Sequence, residues 1–125
     1  GKIFLMIDAI GNKQQNKALE LYYDLLALKE KPMSILFLLT RQFNILIQIK
    51  DLVGLGYQNS VIAEKTGLMP FTISKYVNQA KNFTMDTLKG ALDSCAEIEE
   101  AIKTGRLIDK IGVELLIVKY SGINK

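Results

Sequence analysis

Apolar positions recur every three or four residues along nearly the whole chain, the spacing of one face of an α-helix. Ile3 to Ile10 reads as a short first helix, with Gly11 placed as its stop. A second helix is expected from Gln15 to Lys29, with Leu19, Tyr22 and Leu26 on one stripe. Pro32 suits the first turn of a third helix, where its missing N–H costs nothing. That helix runs to about Leu55. Its first half, Met33 to Leu39, is apolar nearly all round and so calls for cover on more than one side. Two short helices follow, Asn59–Thr66 and Pro70–Lys81. Thr84 reads as an N-cap, with Asp86 complementing the helix dipole behind it. Leu88, Leu92, Cys95, Ile98 and Ile102 form the inward stripe of the helix that Gly105 stops. A last helix, Asp109 to Tyr120, carries Ile111, Leu115, Leu116 and Val118. Strand signals are weak: the chain has two prolines and no Asn-Gly or Asp-Gly turn. The pattern predicts an all-α bundle of about seven helices over residues 1–125.

Within it, "IAEKTGLMPFTISKYVNQA" (Ile62 to Ala80) has the signature of a helix-turn-helix. Ala63 is the small residue where two helices cross, and Gly67 stands in the turn. Ile62, Leu68, Ile73 and Val77 glue the pair together. DNA reading demands more, because the second helix must offer polar or basic side chains to base edges near its N-terminus. Met69, Pro70 and Phe71 occupy those positions, followed by Ser74 and Lys75. Lys75 and Lys81 suit phosphate contacts but supply little of the usual electrostatic footprint. Met69, Pro70, Phe71 and the nearby Tyr57 read better as a surface that packs on protein. Tyr22, Tyr23, Tyr57 and Phe71 cannot share one narrow stripe, so some are core and others rim a partner surface.

Composition narrows the chemistry. The 16 basic and 13 acidic side chains give a net charge of +3 and are evenly spread, which neither demands nor excludes a nucleic-acid partner. There is one cysteine and no histidine. A zinc site and a histidine-based catalytic set therefore lack their ligands and base. The lone Cys95, at core spacing, suits a reducing, cytoplasmic compartment. No GxxxxGK[ST] phosphate loop is present. Glu97, Glu99 and Glu100 point in different directions on a helix and read as a solvated face, with Glu99 and Lys103 paired at i, i+4. The most apolar run is broken at Thr40, Arg41, Gln42 and Asn44, short of the twenty residues a membrane span needs. No catalytic residue, metal ligand or cofactor site is expected. The opening "GKIFLMIDAIG" is already amphipathic, as in a piece cut from a larger protein.

Six stretches together resemble a known family. They are "IDAIGNKQQNKALELYYDLL" at Ile7–Leu26, Arg41-Gln42-Phe43, "IAEKTGLMPF" at Ile62–Phe71, Lys75, "QAKNF" at Gln79–Phe83 and "AIKTGRL" at Ala101–Leu107. In this order and spacing they are similar to the C-terminal domain of the bacterial DNA polymerase III delta subunit, a part of the clamp loader. The resemblance implies two N-terminal domains of AAA+ type that this chain lacks, the first of which contacts the sliding clamp. It implies a helical third domain that joins those of the other clamp-loader subunits in a collar, meets DNA only indirectly and hydrolyses no ATP. The family pattern has no catalytic residue to place here. The residues thus support an assembly domain whose partner surface includes Tyr57, Met69, Pro70 and Phe71. The main alternative is a transcription-factor-like DNA-binding domain using residues 62–81; a free-standing helical adaptor is a third reading.

Overall fold

The computed structural model describes residues 1–123. Seven α-helices follow one another through short turns: α1 Lys2–Gly11, α2 Gln15–Ala27, α3 Pro32–Gly54, α4 Asn59–Thr66, α5 Ile73–Ala80, α6 Met85–Lys103 and α7 Asp109–Ser121. A 3-10 turn, Pro70–Thr72, precedes α5. The expected helix Pro70–Lys81 is thereby split, because the main chain tightens through Pro70 before the α-helix begins.

The long helix α3 is the axle. It packs against α1, α4, α5, α6 and α7, while α1 and α2 form a hairpin whose second arm lies on α7. Ile35, Leu36, Leu39, Phe43, Leu46 and Ile49 line its covered face and are almost wholly buried. By length and composition α3 could cross a membrane. Here its apolar side is covered by other helices, and Arg41, Asn44, Gln48 and Asp51 occupy the exposed one.

Four helices close in the same way. After α1, α2, α3 and α6, the residues Lys13, Lys29, Gly56 and Gly105 take left-handed backbone with φ of 60, 67, 87 and 75°. Each donates its N–H to a carbonyl three residues back, and the next residue donates five back, as in Gly105 to Ile102 and Arg106 to Ala101. This double bond pattern satisfies the last free carbonyls of a helix. Gly11 is therefore not the stop expected of it; α1 runs through it and Lys13 makes the turn. Gly11 is needed for another reason. A Cβ there would lie 2.5 Å from the side-chain oxygen of Gln79. Thr84 does cap α6, accepting from the N–H of Thr87 at 3.0 Å.

Two expected stripes shift by one position. In α2 the fully covered residues are Ala18, Tyr22 and Leu25, with Leu19 and Leu26 only partly covered. In α7 the buried set is Val113, Leu116, Ile117 and Tyr120, leaving Ile111, Leu115 and Val118 outside. Tyr22 is core, and its hydroxyl donates to the Lys110 carbonyl at 2.7 Å. Tyr23 remains half-exposed. Cys95 is buried, and that burial raises its thiol pKa.

Candidate subunit interface

The helix pair α4–α5 is built as the spacing predicts. Ile62, Ala63 and Ile73 are buried at the crossing. Gly67 takes φ of 73° at the end of α4 and donates to the Ala63 carbonyl. The Thr66 hydroxyl donates to Ile62 and accepts from the Leu68 N–H, stitching the turn. Thr72 donates through both its N–H and its hydroxyl to the Met69 carbonyl, which pins the 3-10 turn. That turn thrusts Met69, Pro70 and Phe71 outward as one group. Phe71 is 80% exposed, more than any other large apolar side chain described here. Tyr57 is also exposed, but it stands at the α3–α4 connection with the Lys65 ammonium 4.8 Å above its ring.

Lys75, the cation best placed to read nucleic acid, is already engaged. It pairs with Asp8 of α1 at 3.3 Å and lies 4.9 Å from the Tyr76 ring. The exposed start of α5 thus offers an aromatic and a thioether, with its nearest positive charge tied to α1.

Beneath this surface lies a polar chain that the spacing did not disclose. Gln42 of α3 donates to the Gln79 side-chain oxygen at 2.7 Å, and Gln79 donates to Asp8 at 3.1 Å. Both glutamines are buried. Asn82 donates to the Gly11 carbonyl at 2.9 Å. Alongside, the rings of Phe43 and Phe83 meet edge-on at 6.5 Å, and those of Phe43 and Tyr120 at 5.4 Å. The Lys13 ammonium sits 3.9 Å over Phe83 and donates to the Tyr120 carbonyl; its burial lowers its pKa. The chain locks α5 to α1 and α3, and so fixes where the Met69–Phe71 group points. A sequence signal existed: Gln42 and Gln79 interrupt the apolar faces of their helices.

Apart from Tyr120, the residues of this cluster come from three of the stretches that carry the family resemblance: Asp8, Gly11 and Lys13; Gln42 and Phe43; and Gln79, Asn82 and Phe83. A family model for the DNA polymerase III delta subunit, C-terminal domain, matches residues 1–120. The chain belongs to that family. The chain is 29% identical over 117 residues to the DNA polymerase III subunit delta of Bacillus subtilis, covering 94% of this chain and 34% of the relative. It superposes on the solved structure of the Bacillus subtilis DNA clamp loader delta protein with a TM-score of 0.85 and 28% identity, over 96% of this chain and 35% of that one. The chain spans about a third of the length of these relatives.

Several of the stretches that carry the resemblance thus act here as fasteners between helices. "AIKTGRL" has the same character, being the α6 terminus, its left-handed Gly105, and Leu107 packed towards Gly112 of α7. Among the described residues, no group of three His, Cys, Asp or Glu side chains is arranged to hold a metal ion.

Proposed function

We propose that this chain is the assembly, or collar, domain of a clamp-loader delta subunit, and that Met69, Pro70 and Phe71 form a contact with a neighbouring loader subunit. The observation that carries the contact is the exposed Phe71 side chain, thrust out by a turn that Thr72 pins and the Gln42–Gln79–Asp8 chain orients. Because the turn that carries it is already pinned, binding has only the side chain left to order, which suits an interface anchor. Tyr57 borders the same helix pair and extends the contact. In this reading the domain performs no catalysis. It holds AAA+-type modules, carried elsewhere in the subunit, in register within a cytoplasmic assembly. The sliding clamp is met through those modules, and DNA through the assembly as a whole.

The test is co-purification of the full-length subunit with the other clamp-loader subunits. Phe71→Ser should weaken assembly by about tenfold or more, the loss expected of one central anchor, without lowering the melting temperature. Unchanged assembly would remove this contact. Duplex DNA titrated at low salt separates the alternative: tight, sequence-dependent binding by the isolated α4–α5 surface would favour a DNA reader, whereas the engaged Lys75 favours none.

A further inference from the structure

The two helices of the α4–α5 pair are held very differently. Helix α5 is fastened from several sides. Gln79 bonds both Gln42 and Asp8, Lys75 pairs with Asp8, and the Lys50 ammonium of α3 donates to the Ala80 carbonyl at 3.4 Å. Ile73, Tyr76 and Ala80 anchor it in the core. Helix α4 has almost none of this. From Val53 to Phe71 only Ile62 and Ala63 are buried. Among the described residues one side-chain hydrogen bond joins α4 to another helix, from the exposed Asn59 amide to the Ser74 hydroxyl at 3.4 Å. Its N-cap, Gln58, makes no side-chain bond to the free N–H groups of the first turn. Its seam with α3 is open: Gln48, Asp51, Leu52, Lys65 and Thr66 surround a groove of about 270 Å³. Eight residues are too few to hold a helix without packing, so α4 depends on one isoleucine and one alanine.

We infer that α4 is a flap: it opens while the rest of the domain stays folded, and a neighbouring clamp-loader subunit seated on Tyr57 and Phe71 closes it. The closure rests on the contact proposed above; the opening does not. Local opening is expected where few apolar side chains are buried and backbone hydrogen bonds lie at the surface. The hinges flank the helix. On one side are Gly54, Gly56 and the exposed run Leu55–Gln58, on the other Gly67, and none of these glycines has another side chain packed against it. Both contact residues lie outside the flap. The Tyr57 N–H donates to the Leu52 carbonyl of α3, and Thr72 fixes the turn that carries Phe71. The flap nevertheless touches the contact, because Lys65 of α4 holds its ammonium over the Tyr57 ring. Tyr57 precedes α4 and Phe71 follows it, so a surface packed on both lies against the closed helix. Such a surface binds the closed form better than the open one, and only a difference of that kind shifts an equilibrium.

The test is hydrogen exchange, resolved along the chain by mass spectrometry, on the full-length subunit. In the free subunit the α4 amides, those of Ile62 and Ala63 included, should exchange at least about a hundredfold faster than those in the middle of α3 and α6. Cys95→Ala alters only the α3–α6 seam, which stays folded when the flap opens. It should speed exchange in α3 and α6 and leave the α4 rate unchanged. Equal protection of α4 and the core, or one common acceleration throughout in Cys95→Ala, overturns the opening. In the assembled loader the α4 amides should slow by about tenfold or more. If Phe71→Ser weakens assembly but α4 exchanges no more slowly in the assembled loader, the closure is overturned and the contact stands. If Phe71→Ser leaves assembly unchanged, the contact and the closure fall together, and the free subunit alone decides the opening.

Discussion

Gln79 ties three helices together through one side chain. Its oxygen accepts from Gln42, its amide donates to Asp8, and Gly11 gives it room by lacking a Cβ. A buried amide is favourable only while its partners remain, since an orphaned partner keeps the full cost of desolvation. Gln42→Leu should therefore cost about 1–3 kcal/mol, chiefly by stranding the Gln79 oxygen. Gln79→Leu should cost a similar amount by stranding Gln42, while Asp8 retains Lys75. The double variant should cost less than the sum, because both buried amides leave together. Urea unfolding of the four proteins closes this cycle; strict additivity would mean that the two glutamines are not coupled. The same residues bear on function only through geometry, by holding α5 and hence Phe71 in place.

The left-handed residues that end four helices separate two kinds of need. Gly56 and Gly105 adopt positive φ without steric cost, whereas Lys13 and Lys29 carry a Cβ into it. Lys13 recovers the cost through the Tyr120 carbonyl and the Phe83 ring. Lys29 is exposed at the end of α2, and its φ of 67° has no comparable contact described for it. Lys29→Gly should accordingly stabilise the protein by about 0.5–1 kcal/mol, part of the relief being offset by the freer unfolded chain; a lowered urea midpoint would refute this. The helices themselves were legible, because their period, Pro32, Thr84 and Gly105 all agree. The true stop of α1 was not legible, since Gly11 offers the usual signal yet serves a contact with a residue 68 positions away. The outward Met69–Pro70–Phe71 group was also readable, from what those positions lack. The exposure of Ile111, Leu115 and Val118 on α7 was not: periodicity shows that a helix has two apolar sides but not which one its neighbours leave bare.

Burial shifts three ionisable groups in or against the core, and each shift carries a prediction for stability at alkaline pH. Burial raises the Cys95 thiol above its ordinary 9.0. Burial, and then the negative charges of Glu114 and Asp109, raise the Tyr22 phenol above 10.0. A group whose pKa is raised by folding contributes its full stability below the unfolded value and loses it as pH climbs towards the folded one. Stability from Cys95 and Tyr22 is thus intact at pH 7 and falls from about pH 9 and 10 respectively, as the unfolded chain ionises while the folded one stays neutral. Lys13 works the other way. Burial lowers its pKa below 10.5, so stability rises with pH in the window between its folded value and 10.5. The two trends overlap, which makes the total profile a poor test and the difference between two proteins a good one. The stability gap between the parent and Cys95→Ala should stay constant from pH 7 to 9, reflecting lost packing alone. Above pH 9 it should shrink by up to about 1.4 kcal/mol per pH unit until the folded thiol also ionises. Urea midpoints measured from pH 7 to 11 on both proteins decide it: parallel curves would mean that the Cys95 thiol is solvated in the folded state. A converging pair places it in the buried seam where α3 meets α6, on the axle that also carries the α4–α5 pair.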